Sequence, residues 1–217
     1  NILGIFTTIF NKYSIEKSIP FSKLSWPSYS KKLKKDGFSR KELEDIKNFC
    51  LQEDSFLNLV SGLMVDTGCS YNEIVGLKVD DINFDKFNPY IVLRSNEFRN
   101  IKNIYKKRVV PLVGISLLMC KKIQKFENQD LLFQKYMFKN DFKSLLNREK
   151  DLNKILKKLS SGKTSLSFKY SIIDRLKEVH CPENVILDII GQAKRELFYK
   201  DELTLDIKSS WLKQIKI

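Results

Sequence analysis

The chain has 217 residues, 42% hydrophobic and 30% charged, which suits one sizeable globular core. No apolar run approaches the roughly 20 residues that span a bilayer, so no membrane role is expected. Lys and Arg number 39 against 26 Asp and Glu, a net charge of +13, and such a surface attracts polyanions, of which nucleic acid is the commonest.

Residues 1–19 carry apolar side chains at helical spacing (Ile2, Ile5, Phe6, Ile9, Phe10, Tyr13). They lack the basic flank and small-residue cleavage site of a signal peptide. The stretch from Pro20 to Gly37 has no period, is rich in Ser, and clusters Lys31, Lys32, Lys34 and Lys35. It reads as a linker, either a solvated tether or a phosphate-contacting strap. A helix then starts at Ser39, with Glu42 three residues later as a capping box and Phe38 placed to staple onto Leu43. Ser55 to Gly68 reads as a second, apolar helix with a glycine stop. Ser70 and Glu73 mark a third start. Segments 88–95 and 104–112 alternate β-branched and polar residues, as antiparallel strands do, and a basic loop lies between them. Residues 113–126 and 141–159 have helical periodicity, and 128–133 suits a short extended piece. Two further helices meet at His180–Pro182 and close at Gly191. In the tail, Ile207, Trp211 and Ile215 recur every four residues, marking an amphipathic helix.

Cysteines 50, 69, 120 and 181 fall outside metal-ligand spacing, and the chain has one histidine. Buried thiols in a reducing cytoplasm are expected, with no metal and no cofactor. The carboxylates Asp66, Glu73, Asp80 and Asp81 suit caps and helix ends better than a cation site.

Four stretches, in order, resemble the catalytic domain of the tyrosine recombinase (phage integrase) family. "DTGCSYNEIVGLKVDDINFD" is similar to the family's D-T-G-L-R-x-S-E-L and the D-I-D-F that follows it. "YKKRVVPL" is similar to K-x-R-x-V-P-L. "LSFKYSIIDRLKEVHCPENVILDIIGQA" is similar to H-x-L-R-H with its downstream L-G-H-S, and "ELFYKDE" carries a Tyr near the place of the nucleophile. The likeness runs from about Gly37 to the end. It implies a mainly α fold with a small antiparallel β-sheet that clasps double-stranded DNA. It also implies domain boundaries: 1–24 as the end of a core-binding helical domain, 25–37 as linker, and 38–217 as the catalytic domain with its tail helix.

In that family a Tyr attacks the phosphodiester, two Arg and a His or Trp hold its oxygens, and a hairpin Lys protonates the leaving group. Developing negative charge demands such preorganised donors, and the planar fork of Arg meets two oxygens at once. Here Ser70 stands at the first Arg position and Lys169 at the second. Leu166 replaces the His before Lys169, and Tyr170 follows it. Gln192 replaces the His of the Gly-His pair. Lys102 or Asn103 falls at the hairpin Lys, and Arg108 at an Arg that is usually structural. The nucleophile aligns at Asp201, two residues past Tyr199. Losing one such donor lowers a rate by about 10²–10³.

The resemblance therefore implies a DNA-binding protein of recombination and integration with a degenerate active site. Arg94, Arg99, Lys106, Lys107, Arg108 and Lys163 are the residues expected to face phosphates. Two other readings stand beside it. In one, Tyr199, Lys169, Gln192 and Lys102 form a rearranged but working site. In the other, the chain is a basic helical regulator or protein-binding module, its last helix pair a plain helix-turn-helix, with Tyr199 and Lys169 as ordinary packing and surface residues. The tail helix either docks on a second subunit, giving a homo- or hetero-oligomer, or folds back on its own core.

Overall fold

A computed structural model describes residues 36–101, 106–124, 130–192 and 204–217. The expected helix over 1–19, most of the linker, Lys102 and Tyr199 lie outside the described residues.

The described chain begins with Phe38 buried against Phe168, ring centroids 4.9 Å apart. Helix α1 (Arg40–Gln52) opens on the expected capping box. The Ser39 N–H donates to the Glu42 carboxylate at 2.7 Å, and the Glu42 N–H donates to Ser39 Oγ at 3.3 Å. Helix α2 (Phe56–Thr67) is mostly apolar and is buried on nearly every side. It ends at Gly68, in the left-handed region (φ 62°), whose N–H bonds the Met64 carbonyl. Helix α3 (Tyr71–Val75) follows at once. The short strand β1 (Ile82–Asn83) comes after a tight turn over Val79–Asp81. Strands β2 (Tyr90–Leu93) and β3 (Arg108–Pro111) complete a three-stranded antiparallel sheet in sequence order. The register pairs Ile82 with Ile91, Tyr90 with Pro111, and Leu93 with Arg108.

Helix α4 (Gly114–Gln124) packs along α2. The periodic stretch 141–159 is two helices, α5 (Phe142–Asn147) and α6 (Glu149–Leu159), broken at Arg148. The Arg148 guanidinium lies 4.4 Å from the centre of the Phe56 ring, and the Arg148 backbone N–H donates to the Leu145 carbonyl. The contact with α2 thus accompanies a break that periodicity does not show. Helices α7 (Ser167–Glu178) and α8 (Glu183–Ile189) form the expected pair, with His180 in the left-handed region (φ 59°) between them. The His180 N–H bonds the Lys177 carbonyl and the Cys181 N–H bonds the Leu176 carbonyl, the double closure of a Schellman turn. All four cysteines are buried free thiols, and no group of three or more His, Cys, Asp or Glu suited to a metal exists among the described residues. No helix among them is long and apolar enough to cross a membrane.

The tail helix α9 (Leu205–Ile215) packs on β3 and α7 of its own chain. Its buried face carries Lys208, Ser209, Leu212 and Ile215, while Ile207 is 41% exposed. The inward stripe is turned from the predicted one of Ile207, Trp211 and Ile215. The reason is Lys208, which points inward to bond the Val109 carbonyl at 2.9 Å and pair with Asp188 at 3.0 Å. A buried lysine is tolerated when both charge and protons are met in this way.

Candidate functional site

The site begins at the N-terminus of α3. Ser70, at the N-cap, is exposed, but both its polar groups turn to Glu73. The Ser70 N–H and hydroxyl each donate to Glu73 Oε2, at 2.8 and 2.9 Å. The predicted cap is thus present, anchored on the carboxylate.

Glu73 in turn meets Arg108, at the head of β3. Arg108 Nη1 donates to Glu73 Oε1 at 2.8 Å, and Nη2 reaches Oε2 at 3.4 Å. The remaining donors are also engaged: Nε to the Ile189 carbonyl at 2.8 Å, Nη1 to the Lys106 carbonyl at 3.0 Å, and Nη2 to Cys69 Sγ at 3.8 Å. All five guanidinium protons therefore have internal acceptors. Burial opposes the Glu73 charge. Arg108 beside it and the Ser70 donors outweigh that and hold its carboxyl below the usual carboxylate range. Burial also pushes the Cys69 thiol up to about 11, against the pull of Arg108, so it is no nucleophile at neutral pH.

The end of α8 closes the same junction. Gly191 (φ 67°) and Gln192 bond back to Asp188 and Leu187 in a second Schellman turn. A Cβ on Gly191 would stand 2.7 Å from Arg108 Nη1, so glycine is required by both backbone and neighbour. Gln192 is exposed just beyond it. Lys169, in the first turn of α7, is half-buried. Burial lowers its pKa, and the cations Arg108 and Lys106 lower it further, against the pull of Glu73. No ion pair to Lys169 exists among the described residues. Leu166, one turn before it, is 55% exposed.

The structure therefore brings Ser70, Glu73, Arg108, Lys106, Lys169 and the end of α8 together. Two of the six expected phosphate contacts need correction. Arg99 is 6% exposed and donates to the Glu73 carbonyl at 2.6 Å, to the Arg94 carbonyl and to Asp81. Arg108 is 7% exposed and fully engaged. A guanidinium whose protons are held inside the protein has few or none left for a phosphate. Of the others, Lys106 and Lys107 are exposed. Arg94 is exposed but bonds Asp81 at 2.6 Å. Lys163 pairs with Glu42 at 2.6 Å.

Sequence reasoning missed the use of the carboxylates. Besides serving as caps, Asp81, Glu73 and Asp66 are the counter-ions of three buried arginines, 99, 108 and 175. The pairing spans up to 109 residues of chain, and no local spacing signals it. Asp66 also accepts from the Ile115 N–H at 2.9 Å, so it caps α4 as well.

This arrangement of helices and sheet is that of a tyrosine recombinase catalytic domain. The chain is similar to the Tn1549 transposon integrase in complex with circular intermediate DNA, with 18% identity and a TM-score of 0.57 over 94% of this chain and 73% of that one. A second Tn1549 integrase complex gives 16% identity and a TM-score of 0.59, covering 96% and 75%. The XerA recombinase crystal structure gives 15% identity and a TM-score of 0.54, covering 96% and 70%. At such identities the likeness is one of fold. No protein-family model matches the chain, and no curated protein sequence matches it.

Proposed function

We propose that this chain binds duplex DNA through the 94–108 segment and the start of α7, with its strand-cleaving activity weak or lost. The observation that carries this reading is the closed Ser70–Glu73–Arg108 chain of bonds. Where a recombinase of this fold would offer a guanidinium to the scissile phosphate, this chain offers a serine already bonded to a carboxylate. Arg108, at the centre of the junction, has no proton left to give.

The cations that remain outward are lysines and Arg94, whose Nε is held by Asp81 at 2.6 Å. Lys106, Lys107 and Lys169 would meet phosphate as point charges, which holds a duplex in place but stabilises a pentavalent transition state poorly. The solved complexes of similar fold contain DNA, which supports the binding half of the reading. Assembly through α9 would require that helix to leave a seat in which Leu212 is fully buried.

Affinity for a generic 30-base-pair duplex across a salt series tests binding. Each neutralised phosphate adds about −0.9 to the slope of log K against log salt, so a slope of several units is expected, and a flat response would overturn the proposal. Cleavage is tested on nicked duplex that traps covalent adducts. No adduct is expected. A tyrosine-linked adduct that disappears in Tyr199→Phe would establish the rearranged active site instead.

A further inference from the structure

A second cationic surface lies at the opposite end of the sheet. In the β2–β3 ladder the pair Leu93–Arg108 stands at the site just described, and Tyr90–Pro111 stands at the far end, about 10 Å along the strands. There the turn after β1, the start of α4 and the tail helix α9 enclose a groove of about 390 Å³. Its floor is apolar, built from Phe84, Leu112 and Leu117. Phe87 stands at its edge, 75% exposed. Its rim carries Lys86, Lys121, Lys213 and Lys216 against a single carboxylate, Asp85. Asp85 is already engaged, because its Oδ1 accepts from the Phe87 and Asn88 N–H groups at 2.8 and 2.9 Å. Among the described residues Lys86, Lys121 and Lys216 have no carboxylate partner.

The walls are pre-set. Asn88 bonds Asp206 of α9, and Lys213 Nζ bonds Asn88 Oδ1 at 3.1 Å and the Phe87 carbonyl at 3.4 Å. The tail helix is thereby tied to the turn, and a ligand would order little on entering.

We infer that this groove docks an acidic segment of a partner protein, with one aromatic or aliphatic side chain entering the floor and carboxylates meeting the lysines. Charge complementarity selects the acidic chemistry. The concave apolar floor selects a peptide over a duplex, since phosphates cannot fill it and an exposed Phe beside it gains nothing from them. The volume falls in the range of about 300–1,000 Å³ typical of ligand pockets.

The probe is a labelled twelve-residue peptide of Glu and Asp with a central Phe-Leu, titrated against the whole chain by fluorescence anisotropy. Saturable binding is expected, about tenfold weaker for the peptide with Ser-Ser at its centre. The double variant Lys121→Glu, Lys216→Glu changes only exposed side chains, and circular dichroism checks its fold. It should weaken the peptide by at least about tenfold and leave duplex affinity unchanged. Lys106→Glu with Lys107→Glu should leave peptide binding intact. No peptide binding overturns the inference, as does equal binding of the Ser-Ser peptide or indifference to the rim lysines. Loss of duplex binding in the rim variant would make the groove a nucleic-acid surface and overturn it too.

Discussion

Replacing Arg108 by Met removes the centre of the junction while keeping most of its apolar length. Arg108 is 7% exposed and links α3, β3 and α8 through bonds to Glu73, Lys106, Ile189 and Cys69. Its loss strands the Glu73 carboxylate, whose side chain is only 13% exposed. It also leaves the buried Ile189 carbonyl without this donor. Breaking a buried pair in this way costs about 3–5 kcal/mol, a large part of a total of about 5–15. With an m-value of about 3 kcal/mol/M, the urea midpoint should fall by about 1–1.7 M. Glu73→Gln in the same chain removes the stranded charge, so the double variant should recover about 1–3 kcal/mol of the summed single losses. The assay is urea unfolding followed by circular dichroism on the four proteins of the cycle. Additive losses, or a single variant that loses less than about 1 kcal/mol, would refute the claim that these two groups hold the junction as one unit.

Three further outcomes are expected. Burial raises the Glu42 pKa, but the Lys163 ammonium and the N–H groups of Ser39 and Ser161 outweigh it and hold the carboxyl at about 2. A depressed folded-state pKa stabilises above the unfolded value and is lost as pH falls, so the chain should lose stability between about pH 4.5 and about pH 2. Glu42→Gln should flatten that fall in acid titrations of the melting temperature, and an unchanged profile would count against the assignment. His180→Gly relieves the left-handed backbone at the end of α7 and should raise stability by about 0.5–1 kcal/mol, a rise in Tm of roughly 1–3 °C by calorimetry. A lower Tm would show that the ring contributes more than the strain removes. Ser70→Arg gives up the hydroxyl's bond to Glu73 while the backbone N–H keeps its own, at about 0.5–1.5 kcal/mol in urea, and places a guanidinium where the proposed duplex would lie. Its salt slope should steepen by about 0.9, and an unaltered slope would put Ser70 away from the DNA.

Local chemistry was legible in the sequence wherever it acts over a few residues. Ser39 with Glu42, Ser70 with Glu73, the stops at Gly68 and Gly191, and the two longer strands all follow from rules spanning three or four positions. The order of those elements carried the fold class. The rest depended on contacts between distant parts of the chain. The break at Arg148 accompanies a ring on another helix, and the turned face of α9 accompanies the partners of Lys208. The residues at 70, 166, 169 and 192, which the resemblance sets against the family's catalytic positions, were legible as letters. That Glu73 has its charge matched by Arg108 was not, because the two lie 35 residues apart.

The buried arginines have a further consequence for how this surface can read a polymer. Seven of the 39 basic residues are arginine, and Arg99, Arg108 and Arg175 are all turned inward onto carboxylates. The outward charge of the described face is therefore carried mainly by ammonium groups, which lack the paired N–H fork that recognises the O6 and N7 edge of a guanine. A duplex held by such a face would be chosen by groove width and ease of bending, with the letters of its sequence felt only through its stiffness.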